Sequence, residues 1–203
     1  ATKFESLPIN VSERIKKAFI NISAFSVRDH NTHEFVKNLT QKFPHENLDP
    51  VLIWDFSKEI QNISNIIKNS RYCIVYSYRN RIHKKDEIAA IKRFCENYDL
   101  KPIAIGAPQF WIKDFLVCSP FQCLKLFINA DFVITDTFHG TIFSIKYAKK
   151  FSVIIRTSNQ NKLIDLIKRL DITKHLINDL SELEKIYKMD KDIKNIDRIV
   201  TEE

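Results

Sequence analysis

Between Arg71 and Leu170, short apolar runs alternate with stretches in which apolar residues recur every three or four positions. The strand-sized runs span residues 72–78, 102–106, 132–135 and 152–156, and helical periodicity covers 86–98, 121–129, 138–148 and 159–170. Periods of two and 3.6 mark strands and amphipathic helices respectively. Strict alternation with short connections requires a parallel sheet, because each crossover helix must return the chain to the same end of the sheet. The expectation is an α/β fold: a Rossmann-like parallel sheet flanked by helices across residues 71–203, closing in a polar helical tail after Ile172.

The preceding residues alternate less regularly. Residues 11–19 form a helical stripe, 24–27 a strand, 33–42 a helix capped by Asn31 or Thr32, and 51–54 a short buried strand. Ile60, Ile63, Ile66 and Ile67 suggest a connecting helix over 57–70. Residues 1–56 contain too few strands to close a sheet and read as the remnant of a second, N-terminal α/β domain. A chain that opens on Ala1-Thr2-Lys3 without Met fits a fragment.

Composition narrows the function. Hydrophobic residues make up 44% and charged residues 28%, ordinary for a globular chain. The apolar runs are too short to span a bilayer and no secretory leader opens the chain, so a cytoplasmic location is expected. Cys73, Cys95, Cys118 and Cys123 lack CxxC spacing and paired histidines, so they read as reduced thiols and no metal site is expected. The net charge of +7 is spread over pairs such as Lys16-Lys17, Lys84-Lys85 and Lys149-Lys150. Without a long basic run or an aromatic–basic signature, nucleic acid is not an expected partner. The dispersed charge leaves small anionic substrates, or peripheral association with a membrane surface.

In open parallel sheets, ligands bind outside the carboxyl ends of the strands. Arg28, Arg79, Arg81, Gly106 and the segment from Asp136 to Thr141 hold those positions. The last is the richest. The start of a helix after Thr137 would aim free amides of Gly140 and Thr141, with the positive end of the dipole, at an anion. Thr137 and Thr141 add hydroxyls, and His139 can move a proton near neutral pH. A chain of this length would carry about fourteen glycines, and this one has 2, Gly106 and Gly140. That scarcity suggests close backbone approach at both. The plainer alternative makes Asp136 or Thr137 a helix cap and His139 a packing residue. Arg79 can grip an anion bidentately or serve in a salt bridge, and His83 shares its loop. No GxxxxGK[ST], GxGxxG or GxSxG is present, so nucleotide-phosphate, dinucleotide and hydrolase readings lack support.

The run Ala130-Asp131-Phe132-Val133-Ile134-Thr135-Asp136-Thr137-Phe138-His139-Gly140-Thr141-Ile142-Phe143-Ser144-Ile145, followed by Lys150-Phe151, resembles the signature of polysaccharide pyruvyl transferases. Ser26-Val27-Arg28-Asp29, Leu48-Asp49-Pro50-Val51-Leu52 and Ser119-Pro120-Phe121-Gln122 resemble that family's other landmarks, in order. The resemblance implies a two-domain GT-B-like architecture of which this chain is the C-terminal part. It implies a bacterial enzyme that takes phosphoenolpyruvate as donor, needs no cofactor, and forms a pyruvyl ketal on a sugar of a surface polysaccharide or its lipid-linked precursor. His139 would then be the acid or base, and Arg28, Arg79, Asp136, Thr137, Gly140 and Thr141 would bind substrate. Some members carry Arg where this chain has Thr137. Two alternatives remain: a GT-B glycosyltransferase using a nucleotide sugar, and a non-catalytic anion-binding module.

Overall fold

Caps and prolines shape the first sixty residues more than apolar runs do. The computed structural model describes residues 8–158 and 160–191. Helix α1 (Ile9–Ile20) lies on α2 (His30–Thr40) through Phe19, whose ring centroid is 5.5 Å from Phe25 and 6.4 Å from Phe35. Helix α2 is capped by Asp29, whose carboxylate accepts from the Thr32 amide at 2.9 Å, and not by Asn31 or Thr32 as expected. Strands β1 (Ser26–Val27) and β2 (His45–Glu46) pair in parallel as a small separate sheet.

Of residues 51–54, expected as a strand, Val51, Leu52 and Ile53 instead belong to helix α3 (Pro50–Ile53), and Trp54 follows it in an extended conformation. Asp49 accepts from the Val51 amide at 3.1 Å, and Pro50 at the first helical position pre-sets the helical φ. These cues outweigh the β-branched composition. The expected connecting helix is also cut short: α4 (Ser57–Gln61) ends before Asn62, Ser64 and Asn65, whose side chains compete for the backbone.

The remaining elements are β3 (Tyr72–Tyr76), α5 (Lys85–Asn97), β4 (Lys101–Ile105), β5 (Asp114–Leu116), α6 (Pro120–Asn129), β6 (Phe132–Thr135), α7 (Phe138–Tyr147), β7 (Phe151–Ile154), α8 (Gln160–Arg169), β8 (Leu176–Ile177) and α9 (Leu183–Lys188). The expected first residue of α8, Asn159, lies outside the described residues. Six strands form one parallel sheet in the order β5-β4-β3-β6-β7-β8. This is the expected Rossmann-like α/β fold. Edge strands β5 and β8 were not anticipated. They are 3 and 2 residues long, too short to show a period, and are ordered by the ladders to β4 and β7. Among the described residues the tail after Ile172 holds two 3-10 turns, strand β8 and helix α9 rather than helix alone, and residues 192–203 of the expected helical tail lie outside the described residues.

Strand alternation sorts the core into two layers. Ile74 and Val133 face Phe127, Ile142, Ile145 and Leu163 from α6, α7 and α8, and Leu48 and Leu52 join that cluster. Val75, Phe132 and Ile134 face Ile91 and Phe94 of α5 and Ile186 of α9. Phe127 and Phe132 are fully buried, each worth about 1.5–3 kcal/mol in transfer free energy. Lys146 of α7 donates to the Val51 and Leu52 carbonyls at 2.8 and 3.1 Å, tying α3 to the sheet domain.

The chain enters the sheet at its centre, builds outward through β4 and β5, then returns to the other side of β3 at β6. The winding direction reverses between β3 and β6. A crevice must open at their carboxyl ends, where the two crossovers leave in opposite directions.

Candidate functional site

Both walls of that crevice come from segments singled out in the sequence, but they are built differently. The β6–α7 turn is closed on itself. Asp136 is 0% exposed, accepts from the Ser77 hydroxyl at 2.7 Å, and lies 3.2 Å from Arg156 Nε and 3.6 Å from Arg81 Nε. Burial pushes its carboxyl up, and the Ser77 hydrogen bond and the two guanidiniums draw it back. Thr137 caps α7, its hydroxyl accepting from the Gly140 amide at 2.9 Å. The Thr141 amide and hydroxyl both donate to the Thr137 carbonyl, at 3.0 and 2.8 Å.

The amides of Gly140 and Thr141, expected to face a ligand, are thus already engaged. The amides of Phe138 and His139, one turn position earlier, have no acceptor among the described residues. These point the positive end of α7 into the crevice. Gly140 serves packing and not ligand approach. A Cβ there would lie 2.1 Å from Thr135 Oγ1 and 2.7 Å from both Thr137 Oγ1 and the Tyr76 ring. Gly106, at φ +84°, would meet the same ring at 3.1 Å. The two glycines of the chain clasp one tyrosine.

The β3–α5 loop, in contrast, presents free side chains. Asn80 sits at φ 49°, its amide donating to the Pro108 carbonyl at 3.2 Å and its side chain accepting from the Phe110 amide at 3.0 Å. This anchor fixes the loop while Arg79 stays exposed, with no ion pair among the described residues. Arg81 lies over the Tyr78 ring at 5.1 Å and also donates to the Ser158 hydroxyl. His83 Nδ1 is 3.0 Å from the Arg81 carbonyl. A carbonyl can only accept, so that nitrogen is the donor.

A cavity of about 660 Å3 lies between the two walls, lined in part by Arg28, Arg79, Arg81, His83, His139 and Lys162. Arg28 reaches it from the end of β1. Asp49 holds its guanidinium at 2.5 Å, and the guanidinium carbon is 5.9 Å from the centre of the Phe138 ring. His139 is exposed, with its ring edge-on to Phe138 at 5.7 Å. The cavity gathers four cationic side chains, two imidazoles and two free amides against the single carboxylate of Asp29. Such an arrangement can bind a multiply charged anion beside a group that transfers protons.

Of the residues picked out by sequence, Arg28, Arg79, Arg81, His83 and His139 line this cavity. Asp136, Thr137, Gly140 and Thr141 are buried behind it and form the frame that aims α7. Lys162, Tyr78 and Ser158 were not found by sequence. Lys162 and Ser158 come from the β7–α8 crossover, which only the strand order brings to this wall. Arg156, at the end of the expected strand over 152–156, bridges Asp136 to Glu87. A second cavity, of about 560 Å3 and mainly apolar, lies around Tyr76, Gly106, Cys118, Phe121 and Phe143. There the Cys123 thiol pulls the Cys118 thiol down to about 7.

The model of one family, described as Polysaccharide pyruvyl transferase, matches residues 6–159, well over half of the chain. That span runs from α1 through β7 and includes every cavity residue named above except Lys162. No curated protein matches the chain.

Proposed function

The chain belongs to the polysaccharide pyruvyl transferase family and is a transferase; we propose that its cleft takes phosphoenolpyruvate as donor and builds a pyruvyl ketal on a polysaccharide sugar or its lipid-linked precursor. The observation that supports this most is the position of exposed His139 among cations, one of which, Arg79, has no ion pair among the described residues. Phosphoenolpyruvate carries a phosphate and a carboxylate on one carbon, so it needs two cationic contacts that converge. The Phe138 and His139 amides suit the phosphate. Arg79 and Lys162 can take up the carboxylate and the remaining charge, with Arg28 held ready by Asp49.

In this reading one sugar hydroxyl adds to C2 of the donor while the methylene carbon gains a proton. The C2–O bond to phosphate then breaks, and the second hydroxyl closes the ketal. Two hydroxyl protons are released: one ends on the new methyl group and one on phosphate or solvent. One phosphoenolpyruvate and two hydroxyls give one ketal and one phosphate, with no cofactor. His139 moves one of these protons, either from the attacking hydroxyl or to the methylene, a role worth about 10²–10⁴ in rate. Tyr78, 62% exposed, offers a ring face to the acceptor sugar. A donor drawn from central metabolism puts the reaction on the cytoplasmic side. No helix among the described residues is long and apolar enough to cross a membrane.

Thermal unfolding tests the donor directly. Phosphoenolpyruvate is expected to raise Tm more than a uridine diphosphate sugar does, and His139→Ala to stop donor-dependent phosphate release at nearly unchanged Tm. Stabilisation by the nucleotide sugar alone would overturn the pyruvyl reading in favour of glycosyl transfer.

A further inference from the structure

Two residues beyond Arg28, the β1–α2 turn meets β2 and brings three potential ligands together. We propose that His30, His33 and Glu46 form a binding site for zinc(II). His30 and His33 are three residues apart on the first turn of α2, so their rings share a face. Glu46 is supplied by β2, whose parallel register sets it beside Val27. His33 Nδ1 lies 2.6 Å from Glu46 Oε1 and His30 Nδ1 lies 3.7 Å from the same oxygen. All three ligand atoms fall within 4.8 Å of one another.

Zinc binds imidazole nitrogen at about 2.0–2.1 Å and carboxylate oxygen at about 2.0–2.2 Å. An ion seated among these atoms needs only side-chain rotations to reach those lengths. Two imidazoles and a carboxylate are a borderline donor set that suits zinc better than calcium or magnesium. Water would complete the tetrahedron, and the 64% exposure of the His30 side chain gives the ion a path from solvent. The surroundings also favour a cation. The Asp165 carboxyl is pushed up, by burial first and then by the charges of Asp29 and Glu46, so three carboxylates crowd this corner. Arg169 offsets part of that charge at Glu46. His30 follows Arg28 by two residues, so a bound ion would clamp β2 to the turn that carries Arg28 into the cleft. This inference does not depend on the nature of the transferred group.

The test is a competition titration of the metal-free full chain with Zn2+ against a chromogenic chelator. One zinc per chain is expected. Removing a ligand should cost more than the roughly 10–100-fold that loss of an outer partner costs, so His33→Ala and Glu46→Ala should each weaken binding beyond that range. His45→Ala should leave it unchanged, because adjacent strand residues point to opposite faces. Co2+ gives an independent readout should a variant fold poorly: the unmodified chain should show the intense visible bands of a four- or five-coordinate ion. The proposal is overturned by a chain that takes up no stoichiometric zinc, by zinc retained in the His30→Ala/His33→Ala double variant, or by the faint bands of six-coordinate cobalt.

Discussion

The two walls of the cleft, the β6–α7 turn and the β3–α5 loop, both leave the sheet at the point where its winding reverses, yet they hold their polar groups oppositely. In the turn, the Asp136 carboxylate and the Thr137, Gly140 and Thr141 groups that could meet a ligand are bonded inward, to Ser77, Arg156, Arg81 and one another. In the loop the backbone is pinned through Asn80, while Arg79 stays free in solvent. The segment from Asp136 to Thr141 is therefore mainly a frame, with the His139 side chain and the Phe138 and His139 amides turned outward. Cavity-facing charge sits largely on the less distinctive loop. A rigid frame is what keeps His139 and two free amides aimed at a fixed spot, and preorganised groups of this kind need little rearrangement when charge develops.

Substitutions in the two walls should separate these roles, most sharply at the buried carboxylate. Asp136→Ala strips a buried partner from two arginines and is expected to cost about 3 kcal/mol or more of stability, read by denaturant unfolding. A variant as stable as the parent would break the description of the turn as a frame. Gly140→Ala comes next. Its Cβ would overlap Thr135, Thr137 and Tyr76, and overpacking of this kind costs about 1–3 kcal/mol. Its activity should fall together with its Tm, and loss of donor binding at unchanged Tm would instead give Gly140 a ligand role. The smallest change in stability belongs to the other wall. Arg79→Ala should leave Tm within error while weakening donor binding by about 1.5–3 kcal/mol, the worth of a hydrogen bond to a charged group. The expected signature is a raised KM for donor, and an unchanged KM would remove Arg79 from the binding set.

Much of the fold was legible because it is periodic. Apart from β5, residues 72–170 show their strands and helices through spacing alone, and Ser119-Pro120 marks the start of α6, where a full capping box with Gln122 forms. The failures share a cause. Strands β5 and β8 are too short to show a period and exist through their neighbours' hydrogen bonds. Residues 51–54 carry a strand-like composition, but Asp49 and Pro50 start a helix there. In the site, His139, Arg79 and Arg28 stood out as polar residues at strand ends, and the fold gathers them. Lys162 gave no signal, because its helix reaches the cleft only through the strand order. The His30, His33 and Glu46 cluster leaves no local sequence signal for a similar reason. The glutamate is thirteen residues from the nearer histidine, and only the pairing of β1 with β2 closes that gap.

The layered α/β architecture, the sheet end at which parallel folds bind ligands and the helix start that carries His139 all follow from local spacing and capping, which act over a few residues. Which polar groups at that helix start remain available is settled by long-range contacts. Asp136 meets Ser77 across fifty-nine positions of the chain, and the ring of Tyr76 on β3 joins Thr135 and Thr137 in leaving no room for a side chain at Gly140. Whether a hydrogen-bonding group is spent or free depends on partners that local sequence does not contain.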